Sequence, residues 1–290
     1  MLFDKLENYF YWINERHSIY LKRQQGESWP WTEDPILQTY KFTNPFREND
    51  RVTVWIRENI REPYADHPML FFNLCVARMI NWPETLENIG FIDRWDKGVM
   101  LDIIDIMHHM QRREEKVFTG AYILNAVKGN KGESKPYKYV TYAWDYVYKN
   151  HSILVPTFVD SLERAWNRLI NGNIPYVGGF IAYEIVTDLR WTRYLNKADD
   201  ILTWANAGPG AIRGINRLYG IDFNDRMAQN TALSVMNWLL SISYDYIAPY
   251  VPQMEMRDIE HSLCEWDKYQ RALNNEGKLR SKYIPEHLRR

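Results

Sequence analysis

Phe3, Leu6, Phe10, Ile13, His17 and Leu21 follow one another at spacings of three and four residues, which lays a single apolar stripe along a helix. A strand would need alternation with a period of two, and such alternation is scarce and short throughout the chain. Helical patterns return at 49–61, 67–80, 98–116, 177–194, 198–206, 210–219, 224–247 and 253–274, while Leu162, Ala165, Trp166, Leu169 and Ile170 mark one more helical face. Punctuation falls between them. Gly26 and Ser28-Trp29-Pro30 close the first helix, and Asp34-Pro35 supplies a cap and a first-turn proline for the next. Asn81-Trp82-Pro83 separates two more, and Asn171-Gly172 reads as a left-handed stop. The pattern predicts an all-α fold.

A chain of 290 residues with 46% hydrophobic and 25% charged side chains can bury a sizeable core, which excludes disordered and fibrous classes. There is no internal repeat. Residues 128–138, KGNKGESKPYK, lack periodic apolar positions, so the expectation is one helical unit, or two lobes divided by that exposed loop. Two cysteines, Cys75 and Cys264, leave no disulfide framework and no four-thiolate zinc site, which fits a reducing compartment. The longest uncharged run, Gln229 to Tyr244, falls short of the roughly 18–20 apolar residues of a membrane span. The first residues carry no apolar signal region. A cytoplasmic protein with no membrane partner is therefore expected.

The net charge of -1 excludes a polycation that coats nucleic acid by bulk charge, but it is compatible with a local basic face. Aromatic content is high, with 12 Trp, 20 Tyr and 11 Phe. Most such rings fill cores; a minority can stack on unpaired bases at about 1–3 kcal/mol each.

The most informative string runs from Ile201 to Gly220. It reads as a helical segment, a tight Gly-Pro-Gly turn and a second helix, the layout of a helix-hairpin-helix. Gly208 and Gly210 permit the turn, Gly214 lets two helices approach, and N–H groups at the start of the second helix can receive a DNA phosphate. Arg213 and Arg217 add charge there. The competing reading is an ordinary helix–helix turn, and Pro209 stands where the commonest hairpins place an aliphatic residue.

Glu184 and Asp188 are four residues apart and share a helical face, as a base or metal pair requires; a salt-bridged face has the same spacing. Glu260, His261, Cys264, Glu265, Asp267 and Lys268 crowd one helix without the spacing of a zinc motif. Near the N-terminus, Arg16, Lys22, Arg47 and Arg51 are candidates for clamping phosphate oxygens. His17, inside the apolar stripe, reads as a core histidine, and the adjacent His108 and His109 point to different sides of a helix. No G-x-x-x-x-G-K-S/T string, dinucleotide fingerprint, zinc-deaminase signature or G-x-S-x-G occurs, so kinase, dehydrogenase, deaminase and serine-hydrolase readings lose support.

The blocks INERHSIYLKRQ (13–24), DPILQTYKFTNPFRENDRV (34–52), GAY (120–122), GGFIAYEIVTDLR (178–190), AGPGAIRGIN (207–216) and EHSLCEWDKYQR (260–271) resemble the phage and prophage DNA base hypermodification family. That family comprises the alpha-glutamyl/putrescinyl thymine pyrophosphorylases, also called amino acid:DNA transferases, and a similar helical module accompanies 5-hydroxymethyluracil DNA kinases. The resemblance spans nearly the whole chain. It implies a fold related to helix-hairpin-helix DNA glycosylases and action on thymine-derived bases already in DNA. The reaction implied replaces pyrophosphate on 5-(pyrophosphoryloxymethyl)uracil with an amino acid or polyamine nitrogen. The partners implied are modified DNA, an amine donor and a hydroxymethyluracil DNA kinase, in the host cytoplasm for a phage-encoded chain.

Such chemistry needs cations for the leaving group, a base for the incoming ammonium and a pocket for an extruded base. Arg16, Lys22, Arg47, Arg51, Arg190 and Lys268 are the candidates for phosphate or charge pairing. Glu184 or Asp188 is the candidate base, with His261 beside Glu260 and Asp267 as the second choice. Gly208, Gly210, Arg213, Gly214 and Arg217 are the expected DNA contacts. No ligand constellation requires a metal or cofactor, although a divalent ion is compatible with pyrophosphate departure. Two alternatives stand beside transfer. One is a glycosylase acting on a modified pyrimidine, although Asp222 and Asp225 arrive early after the turn and its second helix has no lysine. The other is a non-catalytic DNA-binding partner of a kinase. The basic tail 278–290 is a further candidate for touching DNA.

Overall fold

Every regular element in the computed structural model, which describes residues 2–120, 130, 132–155, 160–277 and 282–284, is helical. In chain order these are α1 (Leu2–Gln24), α2 (Pro35–Thr39), α3 (Arg51–Ile56), α4 (Leu70–Ile80), α5 (Pro83–Ile89), α6 (Lys97–Arg112), α7 (Lys135–Lys138), α8 (Asp145–Lys149), α9 (His151–Leu154), α10 (Leu162–Asn171), α11 (Gly179–Leu189), α12 (Pro209–Tyr219), α13 (Gln229–Ser243) and α14 (Met256–Leu273). Wider π-helical turns at Arg57–Arg61 and Tyr139–Trp144 continue α3 and lead into α8. Extended pairing among the described residues is confined to the bridge between Tyr40 and Lys282. No described helix is long and apolar enough to cross a membrane.

The caps form where the sequence places them. Asp34 Oδ1 accepts from Ile36 N at 2.8 Å and Leu37 N at 3.0 Å, with Pro35 in the first turn. Gly220 ends α12 in the left-handed conformation at φ 71°. Two expectations fail. Gly172 is right-handed at φ -68°, and the left-handed residue is Asn173 at φ 49°, whose short polar side chain tolerates that region. The segment 198–206 is turns and extended chain rather than helix, so no helix precedes the Gly-Pro-Gly turn and the first arm of the expected hairpin is absent.

The chain divides into two compact units, Met1–Asp50 with Ile201–Arg290, and Arg51–Asp200. These boundaries fall away from 128–138. Lys128, Gly129 and Lys131 lie outside the described residues, and Lys135–Lys138 forms a helical turn capped by the Ser134 hydroxyl. Ala121, Tyr122, and most of the basic tail, 278–281 and 285–290, are also outside the described residues.

In the first unit α12 lies along α14. A Cβ on Gly214 would stand 2.5 Å from the Leu263 carbonyl oxygen, and one on Gly210 2.2 Å from Cys264 Sγ, so glycine sets how closely the two helices approach. Helix α1 packs its apolar stripe here: Tyr9 meets the Trp266 ring edge-on, and Trp266 Nε1 donates to Asn8 Oδ1 at 2.9 Å. Helix α14 opens with a capping box in which Asp258 Oδ2 accepts from Glu255 N at 2.9 Å. Burial lifts the Asp258 carboxyl to about 7 in spite of that bond. Because the unfolded value is about 3.9, the folded state binds the proton more tightly, and this group's contribution to stability is lost as pH rises from about 4 to about 7. Urea denaturation at about pH 5 and about pH 8 should therefore show wild type losing more stability across the interval than Asp258→Asn. Equal losses would remove this assignment.

In the second unit every residue of α4 is buried, from Leu70 through Ile80. Helix α11 is buried from Ile181 to Leu189. Trp12, Trp144 and Trp266 are among the largest fully buried side chains, the core-filling role expected of most rings.

Candidate functional site

The segment Phe42–Asp50 of the first unit brings together Arg16, Arg47, His261 and Lys268. Its shape is local chemistry. Asn44 Oδ1 accepts from Phe46 N at 2.9 Å, an Asx turn, and Arg47–Asn49 makes one 3-10 turn. Asp50 closes the loop, accepting from Asn44 N at 3.1 Å and from Arg47 Nη1 at 3.0 Å. From α1, Arg16 forks onto the Phe42 carbonyl oxygen with Nε at 3.2 Å and Nη2 at 3.1 Å. From α14, Glu265 Oε2 accepts Thr43 N at 2.9 Å, and His261 Nε2 lies 2.6 Å from Thr43 Oγ1. Lys268 donates to the Lys41 carbonyl oxygen and stands 4.8 Å from the Phe42 ring centroid.

The Asn44 and His17 side chains act on each other, while Arg16 Nη1, buried in this cluster, has no hydrogen-bond partner among the described residues. Buried donors of this kind are normally matched by water or a ligand, since leaving one bare costs about 1–3 kcal/mol. Burial lowers the Arg16 guanidinium's pKa, and burial, then Arg16, lowers that of His17. Burial raises the Asp50 carboxyl against the opposing pull of Arg47, Asn44 N and Arg16. The cluster brings two guanidiniums, an amide, a carboxyl and an imidazole together around one loop, the group types that bind an anion and move a proton. His17 is 2% exposed and meets Phe46 edge-on, the core placement its stripe position predicts.

The remaining candidates lie elsewhere. Lys22 donates to the Trp31 carbonyl oxygen at 2.8 Å, on the rim of an open cleft of about 560 Å³ whose walls include Tyr11, Glu15 and Glu33. Arg51 belongs to the other unit, where it is exposed and paired with Glu84. Arg190 stacks on Trp191, 4.4 Å from its centroid. Glu184 and Asp188 share a face of α11, as their spacing predicts, but that face is inside the unit. Arg78 of α4 forks onto Asp188, Nε to Oδ2 at 2.5 Å and Nη2 to Oδ1 at 2.8 Å, and reaches Glu184 Oε2 at 3.3 Å. Arg61 Nη1 stands 3.7 Å from Asp188 Oδ1, and Thr53 Oγ1 accepts from Arg78 at 3.1 Å. Asp188 is 0% exposed and Arg78 1%, so this face is a buried ion cluster, the salt-bridged alternative rather than an open base or metal pair.

The Gly-Pro-Gly turn also departs from expectation. Gly208 N, just before the helix, donates to Glu260 Oε1 at 3.2 Å, and Gly210 and Gly214 face α14. Arg213 Nε and Arg217 Nε bond the two oxygens of Asp267 at 2.8 and 2.6 Å, and Arg217 also bonds Glu276. The charge expected on DNA is neutralised within the unit, and Asp267, 1% exposed, is held as the counter-ion. No group of His, Cys, Asp and Glu among the described residues could hold a metal.

Thr43, Asp50 and Glu265 carry no signal separating them from other polar residues. Arg78 does carry one: a lone arginine inside LFFNLCVARMI demands a buried counter-ion, and Glu184 and Asp188 sit in the other strongly apolar helix.

Comparison with known proteins agrees with the all-helical architecture. The family described as 5-hmdU DNA kinase, helical domain, matches residues 4–279. A 5-hmdU DNA kinase of Bacillus phage SP10 is 26% identical over 299 aligned residues, covering 90% of this chain and 44% of that protein. The chain thus spans less than half the length of this relative. No solved structure matches it. With nearly all of its residues accounted for by one family, the chain belongs to the family of the 5-hmdU DNA kinase helical domain.

Proposed function

We propose that this protein acts on thymine-derived bases in DNA, replacing pyrophosphate on 5-(pyrophosphoryloxymethyl)uracil with an amino acid or polyamine nitrogen. Family membership supports the substrate class, since the phage relative is named for a modified thymine nucleoside. The observation that carries the site is the buried Arg16 Nη1, which has no hydrogen-bond partner among the described residues, in the cluster with Asn44 and Arg47.

In this reading the amine nitrogen attacks the methylene carbon, the carbon–oxygen bond breaks, and pyrophosphate leaves with the electron pair. Arg16, Arg47 and Asn44 hold the departing charge, Lys268 adds to the field, and Asp50 or His261 takes the ammonium proton. Glu184, Asp188, Asp267, Arg213 and Arg217 are assigned to holding their units together, because their charges are engaged by one another or by Arg78. A divalent ion bridging pyrophosphate oxygens is compatible with the scheme.

The test is to incubate the pure protein with pyrophosphorylated hydroxymethyluracil DNA and an amine, then analyse nucleosides by mass. An amino-substituted nucleoside is the expected product. An abasic site would replace transfer with base excision, and unchanged DNA would leave only a binding role. Arg16→Gln and Arg47→Gln, assayed at a temperature where melting curves show each variant folded, should each lower the transfer rate on the order of 10²-fold, the scale on which losing one oxyanion donor acts. Rates within twofold of wild type would sink the anion assignment.

A further inference from the structure

With the α12 arginines engaged by Asp267 and Glu276, a polyanion needs another seat, and the unit Arg51–Asp200 carries one. Cations stand there on ring faces. Lys116 Nζ is 3.8 Å from the Trp82 centroid and Arg51 Cζ 5.7 Å from the same ring. Lys135 Nζ is 4.2 Å from the Phe118 centroid and 5.8 Å from that of Tyr139. The two groups adjoin, because Thr119 N donates to the Ile80 carbonyl oxygen at 3.0 Å and Thr85 Oγ1 to that of Val117 at 2.8 Å. Residues 116–119 therefore run beside the α4–α5 junction that carries Trp82.

Arg51 is paired with Glu84, which also acts on Lys116. Lys135 has no carboxylate partner among the described residues, and burial lowers its ammonium's pKa. Such a group recovers the hydration it has lost from an anion, not from the ring faces alone. Beneath it, Tyr139 is 1% exposed, yet its hydroxyl has no hydrogen-bond partner among the described residues. Tyr176, stacked on Tyr139 at 4.6 Å, also has an unpartnered hydroxyl and holds a left-handed backbone at φ 73°. Lys116, Lys135 and Tyr137 are exposed.

We propose that the surface bearing Arg51, Trp82, Lys116 and Lys135, underlain by the buried rings of Phe118 and Tyr139, binds the phosphodiester backbone of DNA, with Lys116 and Lys135 on separate phosphates. This rests on DNA being the substrate, but it concerns binding and needs no turnover. Aromatic faces hold the long lysine chains against the unit, so less freedom is lost when a phosphate docks.

The experiment is fluorescence anisotropy of a labelled DNA duplex titrated with the full chain across a range of salt. Lys116→Glu/Lys135→Glu should weaken binding about tenfold or more and reduce the slope of log affinity against log salt by about two. Lys97→Glu/Lys197→Glu changes the same charge at two exposed lysines of the same unit and should leave the slope unchanged. Lys116→Arg/Lys135→Arg should retain binding. Unaltered binding by the Lys116/Lys135 glutamate pair, or equal weakening by both glutamate pairs, would overturn the surface while leaving the transfer reading intact. A wild-type chain that does not bind DNA would overturn both. Melting curves establish that the variants are folded, and Lys116→Gln/Lys135→Gln, which removes charge without reversing it, should show the same slope change.

Discussion

Replacing Arg78 with methionine lowers the stability of the fold by about 3–5 kcal/mol, the scale on which removing one partner of a buried ion pair acts. The reason is charge balance in a place without water. Arg78 satisfies Asp188 through two hydrogen bonds and Glu184 at 3.3 Å, all with side chains no more than 6% exposed. Without the guanidinium, the two carboxylates lose the cation they share, and Asp188 keeps Arg61 only at 3.7 Å. In a chain of this size the loss corresponds to a melting temperature lower by on the order of 10 °C. A double-mutant cycle with Asp188→Asn should show strong coupling, because the two residues share their bonds. A melting temperature within about 2 °C of wild type for Arg78→Met would show that the cluster does not stabilise the unit.

Gly214→Ala provides the second large effect, and two magnitudes compete for its sign. Alanine in a helix interior is favoured over glycine by about 1 kcal/mol. Against that, the new Cβ would lie 2.5 Å from the Leu263 carbonyl oxygen and 3.0 Å from its carbon, which are backbone atoms that yield only if α12 and α14 separate. Overpacking of that kind costs about 1–3 kcal/mol, and here it loosens a long interface, so the net expectation is destabilisation. Gly208→Ala is the contrasting variant: its Cβ would meet Glu260 Oε1 at 3.4 Å, an ordinary contact, and stability should change little. Thermal melts of the two variants decide the matter. A Gly214→Ala protein as stable as wild type would mean that the helices do not approach as described.

The same glycine shows how far local reading reaches. Its role in letting two helices approach is legible in the string, but the partner is α14, about fifty positions further along, rather than a helix before the turn. Segment 198–206 carries apolar residues at helical spacing, yet it runs as turns and extended chain, for which we have no physical account. Glu184 and Asp188 illustrate the reverse case. Their common face follows from a period of 3.6 residues, whereas its burial depends on α4 supplying Arg78, 110 positions from Asp188. Around Phe42–Asp50, Arg16, Arg47, His261 and Lys268 were readable as chemistry-bearing types. That Asp50 and Glu265 join them was not, because nothing in a single carboxylate's neighbours along the chain states which cation it will face.

Sequence alone determined the helical class, the caps at Asp34 and Gly220, the core placement of His17, and the resemblance that led to the family. Each of these depends on spacing within a turn or two, or on ordered blocks, and both are written along the chain. Only the tertiary structure decided which charges are spent on one another and which stay open to a ligand. Pairing energies depend on separation and burial in space, and residues with identical local surroundings can end on opposite sides of that division.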